Sequence, residues 1–178
     1  MILVDTSVWI DYLNRHPSPE AEYLAVCIAE GRDVVVAGLV LTEILLGARS
    51  PVEAERICRV MTAFDLTPEL ERADYEEAAS LYRACRAKGM TPRSTIDCLI
   101  ARVCLKHGHE LLARDRDFAA IAQVSALRLA VPPSSVQERA AHYDRQATAS
   151  SPRLTPRRAS APRRFSRASA ARSRVPRR

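Results

Sequence analysis

The chain has 178 residues, which is enough for one domain and an additional segment. Hydrophobic residues make up 47% of it, which is ample for a single buried core. Ten of the 27 basic residues lie in residues 148–178, where there is no acidic residue, so residues 1–147 carry 17 basic against 21 acidic side chains. The net charge of +6 therefore comes from the C-terminal segment, and the composition excludes a basic nucleic-acid-binding fold for the remainder.

The cysteines and the N-terminal residues indicate a soluble protein of a reducing compartment. The five cysteines form no C-x-x-C pair, and this odd number is not typical of a disulfide framework or a structural zinc site. Asp5 and Asp11 interrupt the first apolar residues, which therefore do not predict a signal peptide. The longest apolar stretch, residues 34–48, is too short to span a bilayer. We expect a cytoplasmic protein that has no membrane partner.

Apolar periodicity predicts strands that alternate with helices. In chain order the pattern predicts a strand at 1–4, a helix that begins at Thr6 or Ser7 and ends before Pro17, a helix at 20–30, a strand at 33–38, helices at 39–46 and 51–64, a short strand at 64–66, helices at 71–88 and 94–107, a strand at 110–113, a helical turn at 118–123 and a last strand at 127–131. This alternation is typical of an α/β fold in which helices sandwich a parallel sheet in three layers.

The composition predicts three segments. Residues 1–135 form the folded domain, and residues 136–147 form a terminal helix or a linker after the Pro132-Pro133 pair. Residues 148–178 consist mainly of Ser, Ala, Pro and Arg. So few apolar residues cannot bury enough surface to offset the entropy lost on ordering the backbone. We therefore expect a disordered Arg-rich tail.

Acidic residues interrupt apolar runs at four places. Asp5 ends the first strand, Glu43 lies inside an apolar helix, Asp97 lies in the first turn of another, and Asp115 and Asp117 follow the strand at 110–113. Ligands of an open parallel sheet collect outside the carboxyl ends of the strands, so these acids converge if the first, second and fourth strands are neighbours. Clustered carboxylates repel one another unless a cation neutralises them, and all-oxygen ligands suit Mg²⁺ or Mn²⁺. The pattern predicts a divalent-cation site able to activate water against a phosphodiester.

Each acid taken alone has a simpler interpretation. Asp5 is placed to cap the first helix. Ser94-x-x-Asp97 has the spacing of a capping box. The segment from Asp115 to Asp117 has the composition of a solvated loop. Glu43 is harder to explain in this way, because its neighbours in the sequence are mostly apolar and offer few polar partners.

Four segments together resemble a known family. They read DTSVWID at residues 5–11, LTEILLG at 41–47, STIDCLIA at 94–101 and LLARDRDF at 111–118. In this order and spacing they resemble the PIN-domain family and, more narrowly, the VapC ribonuclease toxins of bacterial type II toxin–antitoxin systems. The resemblance covers about residues 1–135.

The resemblance implies an endoribonuclease that depends on Mg²⁺, with Mn²⁺ as a possible substitute. The implied acidic quartet, both catalytic and metal-binding, consists of Asp5, Glu43, Asp97 and Asp115. The hydroxyl groups of Thr6 and Thr95 are implied to hold a carboxylate or a water molecule. Asp117 is implied as an alternate or an outer partner of the quartet. In the mechanism that follows from this assignment, the three aspartates hold the metal and Glu43 completes the site and orients the attacking water.

The resemblance also implies partners. These are an RNA substrate such as tRNA or a ribosomal RNA loop, a cognate VapB-type antitoxin and a second copy of the chain in a homodimer. Candidate RNA contacts near the acids are Arg93, Arg114 and Arg116. The family usually ends near residues 132–143, so the Arg-rich tail has no counterpart. Phosphate contacts to RNA and an extension without function are both open interpretations of the tail.

Two other functions fit parts of the pattern. One is a housekeeping PIN-type nuclease that processes RNA without an antitoxin. The other is a non-catalytic RNA-binding PIN-like module, although a degenerate site should have lost at least one acid of the quartet. A two-component receiver domain also places acids at strand ends, but it needs a lysine at a strand end, and neither Lys88 nor Lys106 follows a strand.

Overall fold

The structure is a computed structural model and describes residues 1–136. The strands are β1 (Ile2–Val4), β2 (Val34–Val36), β3 (Asp65–Leu66), β4 (Glu110–Leu112) and β5 (Arg128–Leu129). The helices that connect them are α1 (Thr6–Asn14), α2 (Pro19–Ala29), α3 (Gly38–Leu46), α4 (Pro51–Met61), α5 (Arg72–Ala87), α6 (Thr95–His107) and α7 (Arg116–Ala122). The order of elements is the one that the apolar periodicity predicts.

The strands form one parallel sheet with the order β3-β2-β1-β4-β5. Helices α1 to α4 pack among themselves, and α5 to α7 pack among themselves. Right-handed crossovers place these two groups on opposite faces, because the chain adds β2 and β3 on one side of β1 and then crosses back to add β4 and β5 on the other side. The predicted parallel sheet flanked by helices is confirmed.

The central strands are apolar on both faces. Leu3 of β1 is in register with Val35 of β2 and with Leu111 of β4, and all three are buried. A sheet covered by helices on both sides needs continuous apolar strands rather than alternating ones. Trp9 of α1 is also fully buried and packs edge-on against Phe64, with 4.9 Å between the ring centroids. The core thus lies directly beneath the ends of β1, β2 and β4.

Strands are added on both sides of β1. The elements β2 and β3 extend the sheet on one side of it, and β4 and β5 extend it on the other. Such a switch point leaves a crevice outside the carboxyl ends of the two strands that flank it, here β1 and β4. Asp5 follows β1 and Asp115 lies three residues after β4, so both stand at this crevice.

Two sequence predictions differ from the structure at the second half of the sheet. The helical turn predicted at 118–123 begins earlier, at Arg116, because the Asp115 carboxylate caps the helix by accepting a hydrogen bond of 3.0 Å from the Asp117 backbone N–H. Asp117 therefore lies in the first turn of α7 and not in a solvated loop. The strand predicted at 127–131 contracts to Arg128–Leu129.

The segments predicted at 136–147 and 148–178 fall outside the described residues, apart from position 136. In the part of the chain that is described, no helix combines the length and the apolar character that a membrane crossing requires.

A buried acid joins α5 to α6. The Asp74 side chain is 1% exposed and accepts hydrogen bonds from Lys106 Nζ at 2.8 Å and from Arg102 Nε at 3.1 Å. It also accepts from the Glu71 backbone N–H at 2.8 Å, which closes a capping box at the start of α5. The hydrogen bond from Lys106, with smaller contributions from Glu71 and Arg102, lowers the pKa of Asp74 from its usual 3.8 to about 2.

This pKa predicts loss of stability in acid. A carboxylate whose pKa is lower in the folded than in the unfolded state stabilises the fold fully above the unfolded pKa, and that contribution disappears as the pH falls from about 4 to about 2. We expect Asp74→Asn to be less stable than the wild type at pH 7 and the difference to shrink at pH 3, measured by urea denaturation. A difference in free energy of unfolding that stays constant with pH would contradict the assignment.

Candidate active site

Asp5 connects the end of β1 to the start of α1. Its backbone N–H donates to the Leu112 carbonyl at 2.9 Å, which ties the ends of β1 and β4 together. Its carboxylate accepts hydrogen bonds from the backbone N–H of Ser7 at 3.0 Å and from Ser7 Oγ at 2.6 Å. Burial raises the pKa of Asp5, and the hydrogen bonds from Ser7 act in the opposite direction. Asp5 is thus both a helix cap and a member of the acidic site.

Glu43 reaches the site from α3, the helix that follows β2. Thr6 Oγ1 donates a hydrogen bond of 2.5 Å to Glu43 Oε2. Since Thr6 directly follows Asp5 in the chain, this bond links two of the predicted acids through one side chain. The half-buried Glu43 therefore has a polar partner that its apolar sequence neighbours do not supply.

Asp97 lies in the first turn of α6. Ser94 caps this helix through a hydrogen bond of 3.0 Å that its Oγ accepts from the Ile96 backbone N–H. Within residues 1–136 the Asp97 carboxylate accepts no hydrogen bond, so the reciprocal half of the predicted capping box is not formed. The sequence spacing is that of a cap, but the carboxylate remains free for another partner.

The pKa of Asp97 reflects the negative charge of the neighbouring acids. Partial burial raises its pKa most, and the negative charges of Asp115, Asp5, Asp117 and Glu43 raise it further, to about 7. Such contributions require the other carboxylates to be near, because screening by water weakens interactions between distant charges. The fold therefore brings the four predicted acids and Asp117 into one electrostatic site.

Arg93 neutralises one side of this site. Its Nη2 donates to both carboxylate oxygens of Asp115, at 2.6 and 2.8 Å. Asp117 Oδ2 accepts from the Arg93 backbone N–H at 2.6 Å and from its Nε at 3.3 Å. Asp117 thus holds Arg93 in the position from which Arg93 binds Asp115.

An open cleft of about 550 Å³ lies at this position. Its lining residues are Ser7, Arg93, Arg114, Asp115, Arg116 and Asp117. Arg114 forms an ion pair with Asp11 of α1, and Arg116 is exposed and forms no ion pair among the described residues. The cleft is therefore lined by two acids and three arginines, while Asp5, Glu43 and Asp97 are not among its lining residues.

The hydroxyl groups near the acids differ from the predicted set. Thr6 holds Glu43 as described, whereas Thr95 is exposed, lines a groove between α5 and α6, and donates to none of the acids within residues 1–136. Ser7, which sequence reasoning treated only as a possible helix cap, holds Asp5 instead. Its position two residues after a capping aspartate is the sequence signal for this contact.

The donor chemistry of the site fits a divalent cation. Carboxylate oxygens are the ligands that Mg²⁺ and Mn²⁺ prefer, and a cluster that raises the pKa of Asp97 to about 7 contains more negative charge than Arg93 neutralises. Among the described residues, no three His, Cys, Asp or Glu side chains are already arranged as ligands of one ion.

Comparison with known proteins gives a consistent result. The family model for the PIN domain matches residues 2–124. The chain is 34% identical over 131 residues to the VapC ribonuclease Mb1587 of Mycobacterium bovis and to ribonuclease VapC11 of Mycobacterium tuberculosis. In both cases the match covers 73% of this chain and 98% of the relative.

Solved structures share the fold at lower identity. VapBC2 from Rickettsia felis, bound to a DNA fragment from its promoter, matches with a TM-score of 0.58 and 16% identity over 73% of this chain and 98% of that one. FitAcB from Neisseria gonorrhoeae matches with a TM-score of 0.56 and 22% identity over 74% of this chain and 98% of that one. With the family match over residues 2–124 and the 34% identity to two VapC proteins, the chain belongs to the PIN-domain family and, within it, to the VapC group.

Proposed function

We propose that this chain is the toxin of a type II toxin–antitoxin system and acts as an endoribonuclease. The observation that carries the proposal is the convergence of Asp5, Glu43, Asp97 and Asp115 at the switch point of the sheet, where the pKa of Asp97 rises to about 7. The relatives in Mycobacterium are named ribonucleases, which supports the same activity for this chain. A housekeeping nuclease would use the same site but would have no antitoxin.

We propose Mg²⁺, or Mn²⁺ in its place, as the cofactor, held by Asp5, Asp97 and Asp115 with Glu43 completing the site. A divalent ion supplies positive charge against the charge that develops during phosphodiester hydrolysis, and it acidifies water. The carboxylates of the chain provide the hard oxygen ligands for it. Binding would also restore Asp97 to its ionised form at neutral pH, because an adjacent cation lowers a carboxyl pKa.

The remaining polar groups orient the acids. Thr6 occupies one oxygen of Glu43 and leaves the other free to accept a proton or to orient a water molecule. Ser7 holds Asp5 through both its backbone N–H and its hydroxyl, which fixes the rotamer of a carboxylate that would otherwise turn away from its charged neighbours. These contacts preorganise the site before substrate arrives.

We propose three partners for the toxin in the cytoplasm. They are a structured RNA such as tRNA or a ribosomal RNA loop as substrate, a VapB-type antitoxin and a second copy of the chain. One of the similar solved structures is described as a toxin–antitoxin complex from Klebsiella pneumoniae. Leu46, the last residue of α3, is 80% exposed, and Val52 in the first turn of α4 is 74% exposed. Large apolar side chains exposed on either side of one turn support a protein partner on this surface.

Asp97→Asn tests the active site. This change keeps the size of the side chain and removes its charge, so we expect cleavage of total bacterial RNA to fall at least about 100-fold, the scale on which a lost electrostatic group acts. The wild type should make discrete cuts with Mg²⁺ or Mn²⁺ and none with EDTA. A cooperative thermal melt at or above the wild-type melting temperature should show that the variant is folded, and cleavage retained by the folded variant would contradict the assignment.

Arg93→Gln tests the competition between this arginine and a metal for Asp115. Removing the guanidinium leaves Asp115 with only the Asp117 backbone N–H as a donor, so Mn²⁺ binding measured by calorimetry should become tighter. Arg93 is 72% exposed, so water screens its ion pair with Asp115 and the expected gain is at most a few-fold. Arg116→Gln removes the same charge from the cleft without freeing an acid and should show less gain. Equal gains in the two variants would contradict direct competition.

Toxicity in the cell distinguishes the toxin from a housekeeping nuclease. Induced expression of the wild type should stop bacterial growth, and Asp97→Asn should not, because growth arrest would follow from RNA cleavage. Co-expression of the small open reading frame next to the gene should restore growth if that frame encodes the antitoxin. Cleavage in vitro without toxicity or rescue would favour the housekeeping nuclease.

A further inference from the structure

We propose that Arg114 binds a phosphate of the RNA backbone beside the catalytic acids and that Asp11 is its positioning residue. The inference rests on the proposed ribonuclease function and identifies a residue of the active site that binds the substrate. Asp11 lies on α1 and Arg114 directly precedes Asp115, 103 residues later in the chain, yet their side chains form an ion pair at the cleft.

Three arginines line the cleft, and they differ in what their guanidinium groups already bind. Arg93 is committed to Asp115, one of the catalytic acids. Arg116 is exposed and has no ion-pair partner among the described residues, so nothing fixes its position. Arg114 uses Nη1 for Asp11 and Nε, at 3.9 Å, for Glu20, while its Nη2 has no acceptor within residues 1–136. Arg93 Nη1 also has no acceptor within residues 1–136, but the charge of Arg93 is already paired with Asp115 and Asp117 of the site. Arg114 is the fixed arginine of the cleft that pairs with none of the predicted catalytic acids.

Burial of Asp11 explains why Arg114 stays in place. The Asp11 side chain is only 12% exposed, and a carboxylate at that depth requires a cation to offset its lost hydration. Its two oxygens have separate neighbours, since Oδ2 binds Arg114 and Oδ1 lies 3.6 Å from Nδ1 of His16. The guanidinium therefore does not have to be ordered when RNA binds, which lowers the entropic cost of the contact.

The backbone connects Arg114 to two of the predicted catalytic acids. Its N–H lies 3.4 Å from Ser7 Oγ, and the same hydroxyl donates to Asp5 at 2.6 Å. The next residue in the chain is Asp115. Arg114 is nevertheless 44% exposed in the cleft, so a phosphate approaching the acids has access to it.

The chemistry of the site favours phosphate as the ligand. Residues 1–147 carry four more acidic than basic side chains, and Asp115 and Asp117 line the cleft beside Arg114. A polyanion approaches such a surface only where a local cation offsets the repulsion. A guanidinium is a planar donor that matches phosphate oxygens and is always charged. A fixed arginine in the cleft therefore favours an RNA backbone over an uncharged ligand.

RNA binding in a cleavage-deficient background tests the inference. The full-length Asp97→Asn protein is titrated into a fluorescein-labelled oligouridylate of about 12 nucleotides and followed by anisotropy, at NaCl concentrations between about 50 and 300 mM. Adding Arg114→Gln should raise the Kd about tenfold and reduce the slope of log Kd against log[NaCl] by about 0.7, the value for one phosphate contact on a single strand.

Two further variants separate positioning from charge. Asp11→Asn leaves the cation in place but loosens it, so the Kd should rise while the salt slope changes little. A purely structural role for Asp11 would lower the melting temperature without moving the Kd of the folded protein. Arg114→Lys keeps the charge and loses the planar fork, so it should keep the salt slope and bind more weakly than the parent protein. If Asp11→Asn does not fold, the Arg114 variants alone decide.

The matched control is Arg128→Gln. Arg128 lies at the amino ends of the strands, in a cavity with Ile2 and Glu110, so its loss removes one charge from the opposite edge of the sheet. Equal effects of Arg128→Gln and Arg114→Gln would overturn the inference, as would an unchanged Kd in folded Arg114→Gln. If the wild type cleaves no RNA but Arg114→Gln alone weakens binding, the ribonuclease proposal fails and the phosphate site stands.

Discussion

Repulsion among carboxylates is the constraint on which the site depends. A carboxyl group whose pKa rises from 3.8 to about 7 in the folded state opposes folding at every pH above its unfolded pKa. For Asp97 at neutral pH this contribution is unfavourable, with partial burial as its largest cause and the charges of Asp115, Asp5, Asp117 and Glu43 adding to it. The rest of the molecule has to supply that free energy, and the position of the acids shows how it does so.

The apolar strands supply most of it. Leu3, Val35 and Leu111 lie on three adjacent strands that are buried on both faces, directly beneath the crevice. The bond from the Asp5 backbone N–H to the Leu112 carbonyl then fixes the ends of β1 and β4 relative to each other. Because a close-packed core resists deformation, the acids cannot move apart to relieve their repulsion. The same rigidity keeps their charges close enough to act on Asp97.

Arginine provides part of the compensation without a metal. Arg93 binds Asp115, and Asp117 holds Arg93 through its backbone and side chain. Asp11 and Arg114 form a second pair at the same cleft. The acids at the cleft thus divide into those that hold an arginine and those that remain available, and Asp97, with no hydrogen bond in the described residues, belongs to the second group.

The sequence alone predicts the parts of this arrangement that follow from local pattern. Apolar runs predict the five strands, and the acids that end those runs predict the site at their carboxyl ends. The contacts of Arg93 and Arg114 were not predicted, because they join residues 22 or more positions apart and depend on which way each side chain leaves its element. Thr95 shows the same limit, since helical position alone does not tell whether its hydroxyl faces the acids or the groove between α5 and α6.

The three aspartates of the quartet lie at the N-termini of helices, whereas Glu43 does not. Asp5 caps α1, Asp115 caps α7, and Asp97 lies in the first turn of α6. The free backbone N–H groups and the dipole at a helix N-terminus favour negative charge, so three helices direct their positive ends at the crevice. Glu43 lies inside α3, where no free N–H group is available, and it receives the Thr6 hydroxyl instead. The fold therefore offsets the repulsion with dipoles and neutral donors, which hold the carboxylates in place without neutralising them. Acids held in this way keep the negative charge that a divalent cation requires.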